Sequence, residues 1–278
     1  MPETSQELNI DVSNELILTP FTGASLVNEV LKWLLFQKCQ IPYGFNRLKH
    51  VVEKRRKNLQ EDTGPKKHNF KYENHFRTVS TAYDSLDLIM RGINKEFSAE
   101  NNTIQEVMLV FGSSTVCPKE VFSIVIPSLA WGHMERNHIN GINKHVQNIL
   151  KNLFHSQTWM DSIDATIPLT NTYVYLKKQI LVTSDFTSEP FEFCEPLHIS
   201  SHIKHSKCVI SYVESKRTKC CELNIFDDGT MPTESLVKLQ EPESGVEVEK
   251  HVVWCKAKEV LKGFKECYEN KVSVCELW

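Results

Sequence analysis

Three histidines and one cysteine in the carboxyl-terminal half of the chain have a spacing that could suit a metal ion. His198, His202, His205 and Cys208 follow one another at intervals of four, three and three residues. On a helix this spacing would bring imidazole nitrogens and a thiolate to one face, where zinc could bind them. However, the β-branched residues between them favour extended structure, which would separate the four side chains, and there is no CxxC pair. We therefore expect polar surface histidines and no metal site.

The other reactive residue types form no recognisable catalytic motif. Cys220 and Cys221 are adjacent in a strand-like pattern, and adjacent side chains on a strand point to opposite faces, which argues against a redox pair. The segment Gly112-Ser113-Ser114 is not a nucleophile elbow, and the chain contains neither a P-loop nor a dinucleotide-binding glycine motif. The sequence therefore predicts a protein that is not an enzyme and that needs no cofactor.

The composition is that of an ordinary globular chain. It has 278 residues, a net charge of -3 and 41% hydrophobic residues, which disfavours a general attraction to nucleic acid. No apolar run approaches the roughly 20 residues of a membrane helix, and the first residues lack the pattern of a secretory signal. The nine cysteines are irregularly spaced, which indicates reduced thiols in the cytosol or nucleus.

A cluster of basic residues has the form of a bipartite nuclear-import signal. Residues 54–72 contain few apolar side chains and predict an exposed, flexible loop. A solvated charged loop is the alternative, and DNA or RNA contact is disfavoured because no aromatic residues interleave with the charges. We expect the protein in the nucleus and cytoplasm. The basic residues are Lys54, Arg55, Arg56 and Lys57, followed by Lys66 and Lys67.

Apolar spacing predicts three main helices, one shorter helix and a sheet. Residues 107–111 are continuously apolar and predict a strand buried on both faces, with residues 121–126 as its neighbour. The pattern favours an α+β fold in which helices lie on a mostly antiparallel sheet. The predicted helices cover residues 22–40 with Thr22 as the N-cap, 45–56 (the shorter one), 76–97 and 142–162; further strands cover 16–18, 172–182, 208–213, 221–226 and 251–255.

Several segments, taken in their order along the chain, resemble the comet family of adaptors that bind the checkpoint protein Mad-two. The resemblance implies a HORMA-like fold with three helices packed on a mostly antiparallel sheet and a carboxyl-terminal safety belt. We expect residues 1–14 as a flexible leader, 15–264 as one domain with its belt from about 165, and 265–278 as a tail. The segments are VNEVLKWLLFQKCQIP (27–42), FNRLKH (45–50), VMLVFGSSTVCPKEVF (107–122), ILKNLF (149–154) and VVWCKAKEVLKGF (252–264).

The same resemblance implies a non-catalytic adaptor that silences the spindle checkpoint. It would bind closed Mad-two and present it to a hexameric Pch-two-type AAA+ ATPase, so that the checkpoint complex comes apart and the cell leaves mitosis. Spindle or kinetochore association in mitosis would follow. The belt would be closed on the chain's own carboxyl-terminal strand and KGF segment. The alternatives are a different HORMA protein that traps a partner peptide in meiosis or DNA repair, and a nucleic-acid binder that uses the basic loop.

The resemblance also assigns roles to individual residues. Its Mad-two interface falls on Gln37, Leu150, Lys151 and Phe154. An apolar centre flanked by polar donors suits a reversible protein interface. The family's Pro-Lys contact with the ATPase aligns with Pro196 and Leu197; the lysine is absent here, and His198 or Lys204 is expected to supply the charge.

Overall fold

A computed structural model describes residues 7–14, 18–61, 69–99, 102–129, 142–181, 189–212 and 250–276. In these ranges the chain forms an α+β domain. The helices are α1 (Pro20–Gln37), α2 (Phe45–Glu61), α3 (Phe70–Phe97), α4 (Ile142–His155) and α5 (Gln157–Ile163). The strands are β1 (Glu7–Asn14), β2 (Asn102–Gly112), β3 (Pro118–Val125), β4 (Asn171–Leu181), β5 (Phe191–Cys194), β6 (Lys204–Tyr212), β7 (Lys250–Ala257), β8 (Leu261–Lys262), β9 (Tyr268–Glu269) and β10 (Val272–Ser273). None of the described helices combines the length and the apolar character that crossing a membrane requires.

The main sheet has the strand order β1-β6-β3-β2-β4-β7-β5, with β8 added beside β4. Strand β6 is parallel to both of its neighbours, β1 and β3. The remaining pairs are antiparallel, which confirms the predicted α+β class with a mostly antiparallel sheet. Strands β9 and β10 form a separate two-stranded hairpin.

Strand β2 lies at the centre of the fold and is buried on both faces, as its continuous apolar run predicts. Val107, Leu109 and Phe111 belong to the large core beneath the helices. Met108 and Val110 belong to a smaller apolar cluster on the opposite face of the sheet. We call these two sides the helix face and the back face.

The predicted helices over residues 22–40 and 142–162 both need correction. Helix α1 begins after Thr19 as its N-cap, and Thr22 is the third helical residue, whose side chain bonds back to the cap. The predicted helix over residues 142–162 is two helices, because Ser156 interrupts it and its hydroxyl accepts a hydrogen bond from Trp159 N.

The predicted basic loop over residues 54–72 is wrong at both ends. Helix α2 continues to Glu61, and α3 begins at Phe70. The guanidinium of Arg56 donates two hydrogen bonds, of 2.9 and 2.7 Å, to the carboxylate of Asp84 on α3. This exposed ion pair links the second half of α2 to α3. Lys66 and Lys67 lie outside the described residues.

The predicted leader and tail also need correction. Residues 7–14 are strand β1, which pairs with β6 in register from Glu7 opposite His205 to Asn14 opposite Tyr212. Residues 265–276 form β9, β10 and a short 3-10 helix with buried side chains. Of the short strand expected over 16–18, residues 16 and 17 lie outside the description and Leu18 is buried but not in a strand. The strand expected over 221–226 also falls outside it.

Candidate protein-binding surface

Helices α1 and α4 lie side by side on the helix face. The ring of Trp33 on α1 contacts the ring of Phe154 on α4, with centroids 4.5 Å apart, and lies 6.1 Å from the ring of Trp159 on α5. Trp33 therefore joins all three helices. Aromatic pairs at these distances add to the stabilisation that apolar burial provides.

The inner side of α4 is anchored in the core by Val146, Ile149 and Leu153. The residues that directly follow Ile149 and Leu153 therefore lie at the outer edge of α4. Leu150 and Phe154 are half-buried and Lys151 is exposed. Leu150 and Phe154 are four residues apart and so share one side of the helix.

Gln37 is the last residue of α1 and is half-buried, one helical turn after Trp33. The structure thus places Gln37 beside a tryptophan that contacts Phe154, and brings the four predicted interface residues to adjoining helices. We call Trp33, Gln37, Leu150, Lys151 and Phe154 the front surface.

The predicted interface does not include three neighbouring residues, Trp33, Phe36 and Met160. The side chains of Phe36 on α1 and Met160 on α5 are 46% and 41% exposed, unusual values for large apolar residues next to an aromatic cluster. Trp33 could have been found from the sequence, because it precedes Gln37 by four residues and therefore lies on the same side of α1.

A buried ion pair fixes the end of α1 behind the front surface. The ammonium of Lys38 is fully buried and lies 2.9 Å from the Glu120 carboxylate. It also donates to Ser162 O in the last turn of α5, at 3.2 Å, and to Ala165 O just after α5, at 2.9 Å. Burial lowers the pKa of Lys38, and the hydrogen bond that its ammonium donates to Glu120 opposes this shift. The pair therefore connects α1, β3 and α5.

The expected ATPase contact lies on the opposite side of the sheet. After β5 the chain crosses the back face, where Leu197 is half-buried against the back-face cluster and Pro196 is exposed. Lys204 donates to Ser162 O at 2.7 Å and lies 3.7 Å from Glu120. Its ammonium is thus engaged inside the domain, whereas His198 is exposed.

The histidine and cysteine cluster is dispersed. His205 and Cys208 lie three residues apart on β6 and so point to opposite faces of the sheet. His205 Nε2 is 2.8 Å from Ser123 Oγ, and Cys208 is buried in the helix-face core. In the described ranges no group of histidine, cysteine or acidic residues could hold a metal ion. Cys220 and Cys221 lie outside those ranges.

Comparison with known families gives one informative result. A family model described as p31comet, Mad1 and Cdc20-bound-Mad2 binding, matches residues 22–186, which is more than half of the chain. The Mad2 of this description is the Mad-two of the comet family. The match includes all five front-surface residues, whereas Pro196 and Leu197 lie beyond it. No curated protein matches the chain.

Proposed function

The chain belongs to the p31comet family, and from this premise we propose that it binds closed, Cdc20-bound Mad2 through the front surface and presents it to a hexameric AAA+ ATPase. The family comprises non-catalytic adaptors that bind Mad1 and Cdc20-bound Mad2 and silence the spindle checkpoint. This protein is accordingly a Mad2-binding checkpoint adaptor of mitotic cells and not an enzyme, as the sequence predicts. Mad1 is a partner that the sequence resemblance did not name.

The observation that carries the proposed interface is the contact between Trp33 and Phe154. In the proposed interface, Gln37, one turn after Trp33, and Lys151, three residues before Phe154, would supply polar groups beside an aromatic and aliphatic centre. Protein interfaces typically concentrate binding energy in such a centre, and surrounding polar groups provide specificity. Phe36 and Met160 extend the apolar area beyond the predicted residues.

The positions of the two candidate contacts favour a bridging role. The front surface belongs to the helix face, whereas Pro196 and His198 belong to the segment that covers the back face. Two partners bound on opposite sides of one sheet do not compete for the same surface. The adaptor could therefore hold Mad2 and the ATPase at the same time, with His198 as the remaining basic candidate for the ATPase.

The finer fold that we propose is HORMA-like. Helices α1, α3 and α4 would be the three helices on the sheet, and the region ending in β7 and β8 would be the belt. Support comes from β8, which pairs with β4, and from Phe264, which is buried and donates its N–H to Gln40 O at 2.9 Å. The chain's own KGF segment then occupies the place at β4 that a trapped peptide would need, which favours the adaptor over a peptide-trapping HORMA protein.

The test of the interface is co-purification with closed Mad2. We expect the double variant Leu150→Asp/Gln37→Ala to weaken binding by about 30-fold or more, because a charge at a desolvated interface centre costs on the order of 2–5 kcal/mol. The matched control is Leu88→Asp on α3, where the parent leucine is 50% exposed and lies outside the front surface. Unchanged binding of the double variant, or equal losses in both proteins, would mean that another face binds Mad2.

The ATPase contact needs its own experiment. His198→Glu replaces the exposed basic side chain by an acidic one. It should weaken capture of the ATPase hexamer while Mad2 binding stays intact. Full ATPase capture by this variant would remove His198 from the proposal.

The proposed nuclear and cytoplasmic distribution relies on the basic residues at the end of α2. Lys54 and Lys57 are exposed, whereas Arg56 is paired with Asp84. Alanine at Lys54 and Lys57 should shift a fluorescent fusion toward the cytoplasm, and an unchanged distribution would argue for a charged surface without an import role.

A further inference from the structure

The chain beyond the KGF segment folds back onto the helices, and this contact is separate from the sheet. After Phe264 the chain forms the hairpin of β9 and β10 and then a 3-10 helix of Val274–Glu276. Val274 is fully buried, and Ser273 and Cys275 are nearly so. A carboxyl-terminal segment with buried side chains must form part of the folded structure, since loose termini are exposed.

Three parts of the helical layer hold the hairpin. The Tyr43 hydroxyl, between α1 and α2, donates to Cys275 Sγ at 3.1 Å, and burial raises the pKa of this tyrosine. Near the beginning of α3, His75 Nε2 lies 3.6 Å from the same sulfur, and Lys71 Nζ donates to Tyr268 O at 3.2 Å. At the beginning of α2, Arg47 forms an exposed ion pair with Glu276 at 3.2 Å.

The turn of the hairpin is held in an unfavourable backbone conformation. Asn270 and Lys271 have φ angles of 50° and 69°, the left-handed values of a two-residue type I′ hairpin turn. Asparagine tolerates this region, but lysine does not favour it. Contacts of the adjoining segment must therefore offset the strain, and the buried Val274 and Cys275 of the 3-10 helix provide them.

Strand β8 needs such a support. It contains only two residues, Leu261 and Lys262, and pairs with Thr172 and Asn171 at the beginning of β4. A pair of only two residues would fray in isolation. Gly263 adds one backbone hydrogen bond to Thr170 O, at 3.0 Å.

We propose that residues 265–276 are a latch that keeps β8 beside β4 by fastening the chain beyond Phe264 to Tyr43 and the first turns of α3. While the latch is closed, β8 is held at both of its ends, by β7 before it and by the hairpin after it. Strand β8 leaves the sheet only when the hairpin leaves the helices. The latch thus keeps this edge of β4 paired with the chain's own strand β8. This inference rests on the contacts of the tail and does not depend on the proposed Mad2 interface.

Hydrogen exchange measured by mass spectrometry tests the latch. In the full chain, Val274→Asp places an unpaired charge at a fully buried position and should detach the hairpin. Exchange of the amides of residues 261–264 should then become at least about tenfold faster, while residues 107–111 of β2 exchange as before. The matched control is Val272→Asp, two residues away, where the valine is 39% exposed and no change is expected.

A second protein, ending at Phe264, keeps the test decisive if Val274→Asp fails to fold. It should show the same accelerated exchange in residues 261–264. Unchanged exchange there in either protein would overturn the latch. Equal acceleration in β2 and β8 would overturn it as well, because the hairpin would then contribute to global stability without holding β8 in particular.

Discussion

Replacing Lys38 by methionine should be among the most destabilising single changes in this domain. Methionine is close to lysine in length but carries no charge and donates no hydrogen bond. The Lys38 ammonium is fully buried, and its three acceptors are Glu120, Ser162 O and Ala165 O. The substitution leaves the Glu120 carboxylate buried without its nearest cation.

The expected cost follows from what remains around Glu120. Breaking a buried ion pair by removing one partner costs about 3–5 kcal/mol. Lys204 stays 3.7 Å from Glu120 and keeps its own hydrogen bond to Ser162 O, which offsets part of the loss. We therefore expect a decrease of about 3 kcal/mol in the free energy of unfolding. That is a large share of the 5–15 kcal/mol typical of whole domains.

Urea denaturation, followed by tryptophan fluorescence, measures this change. The double variant Lys38→Met/Glu120→Gln removes both charges and should recover most of the loss, since the penalty comes from the unpaired carboxylate. The control is Arg56→Met, which breaks an ion pair with Asp84 whose side chains are 41% and 50% exposed, and it should cost less than about 1 kcal/mol. A loss below about 1 kcal/mol for Lys38→Met, or a double variant no more stable than the single one, would refute the reasoning.

Two further predictions concern aromatic residues. Trp33→Ala should lower the free energy of unfolding by roughly 2 kcal/mol and weaken Mad2 binding, because Phe154 loses the ring 4.5 Å away; calorimetric titration showing full affinity would contradict this. Burial raises the pKa of Tyr212 from 10.0 to about 12, so the unfolded chain loses this proton first and stability falls as pH rises between these values. Tyr212→Phe should therefore lose less stability than the parent between about pH 9 and about pH 11, by on the order of 1 kcal/mol in urea titrations, and equal pH slopes would refute the assignment.

The sequence alone predicts the structure correctly where the pattern that determines it is local. The apolar run of β2 predicts its burial on both faces, and the spacing of Val146, Ile149 and Leu153 predicts which side of α4 meets the core. The family resemblance then placed the candidate interface on two helices that the structure brings together.

The remaining features depend on partners far away in the chain. Residues 7–14 form strand β1 only because β6, some two hundred residues later, pairs with them. The second half of α2 lies against α3, where Arg56 pairs with Asp84, and the folded tail contacts Tyr43. No local pattern can reveal such contacts, because propensity describes only neighbours along the chain. The break at Ser156 is different: a capping serine was present, but the apolar period of the surrounding helix concealed it.

The parallel placement of β6 between β1 and β3 has a consequence for how the protein is made. On the ribosome, β3 emerges long before β6, so one of its edges stays open while the intervening residues are synthesised. Contacts between such distant segments slow folding, and open strand edges in the nascent chain invite aggregation. We expect a delayed step in biogenesis, when β6 inserts between β1 and β3, and a demand for chaperones up to that moment.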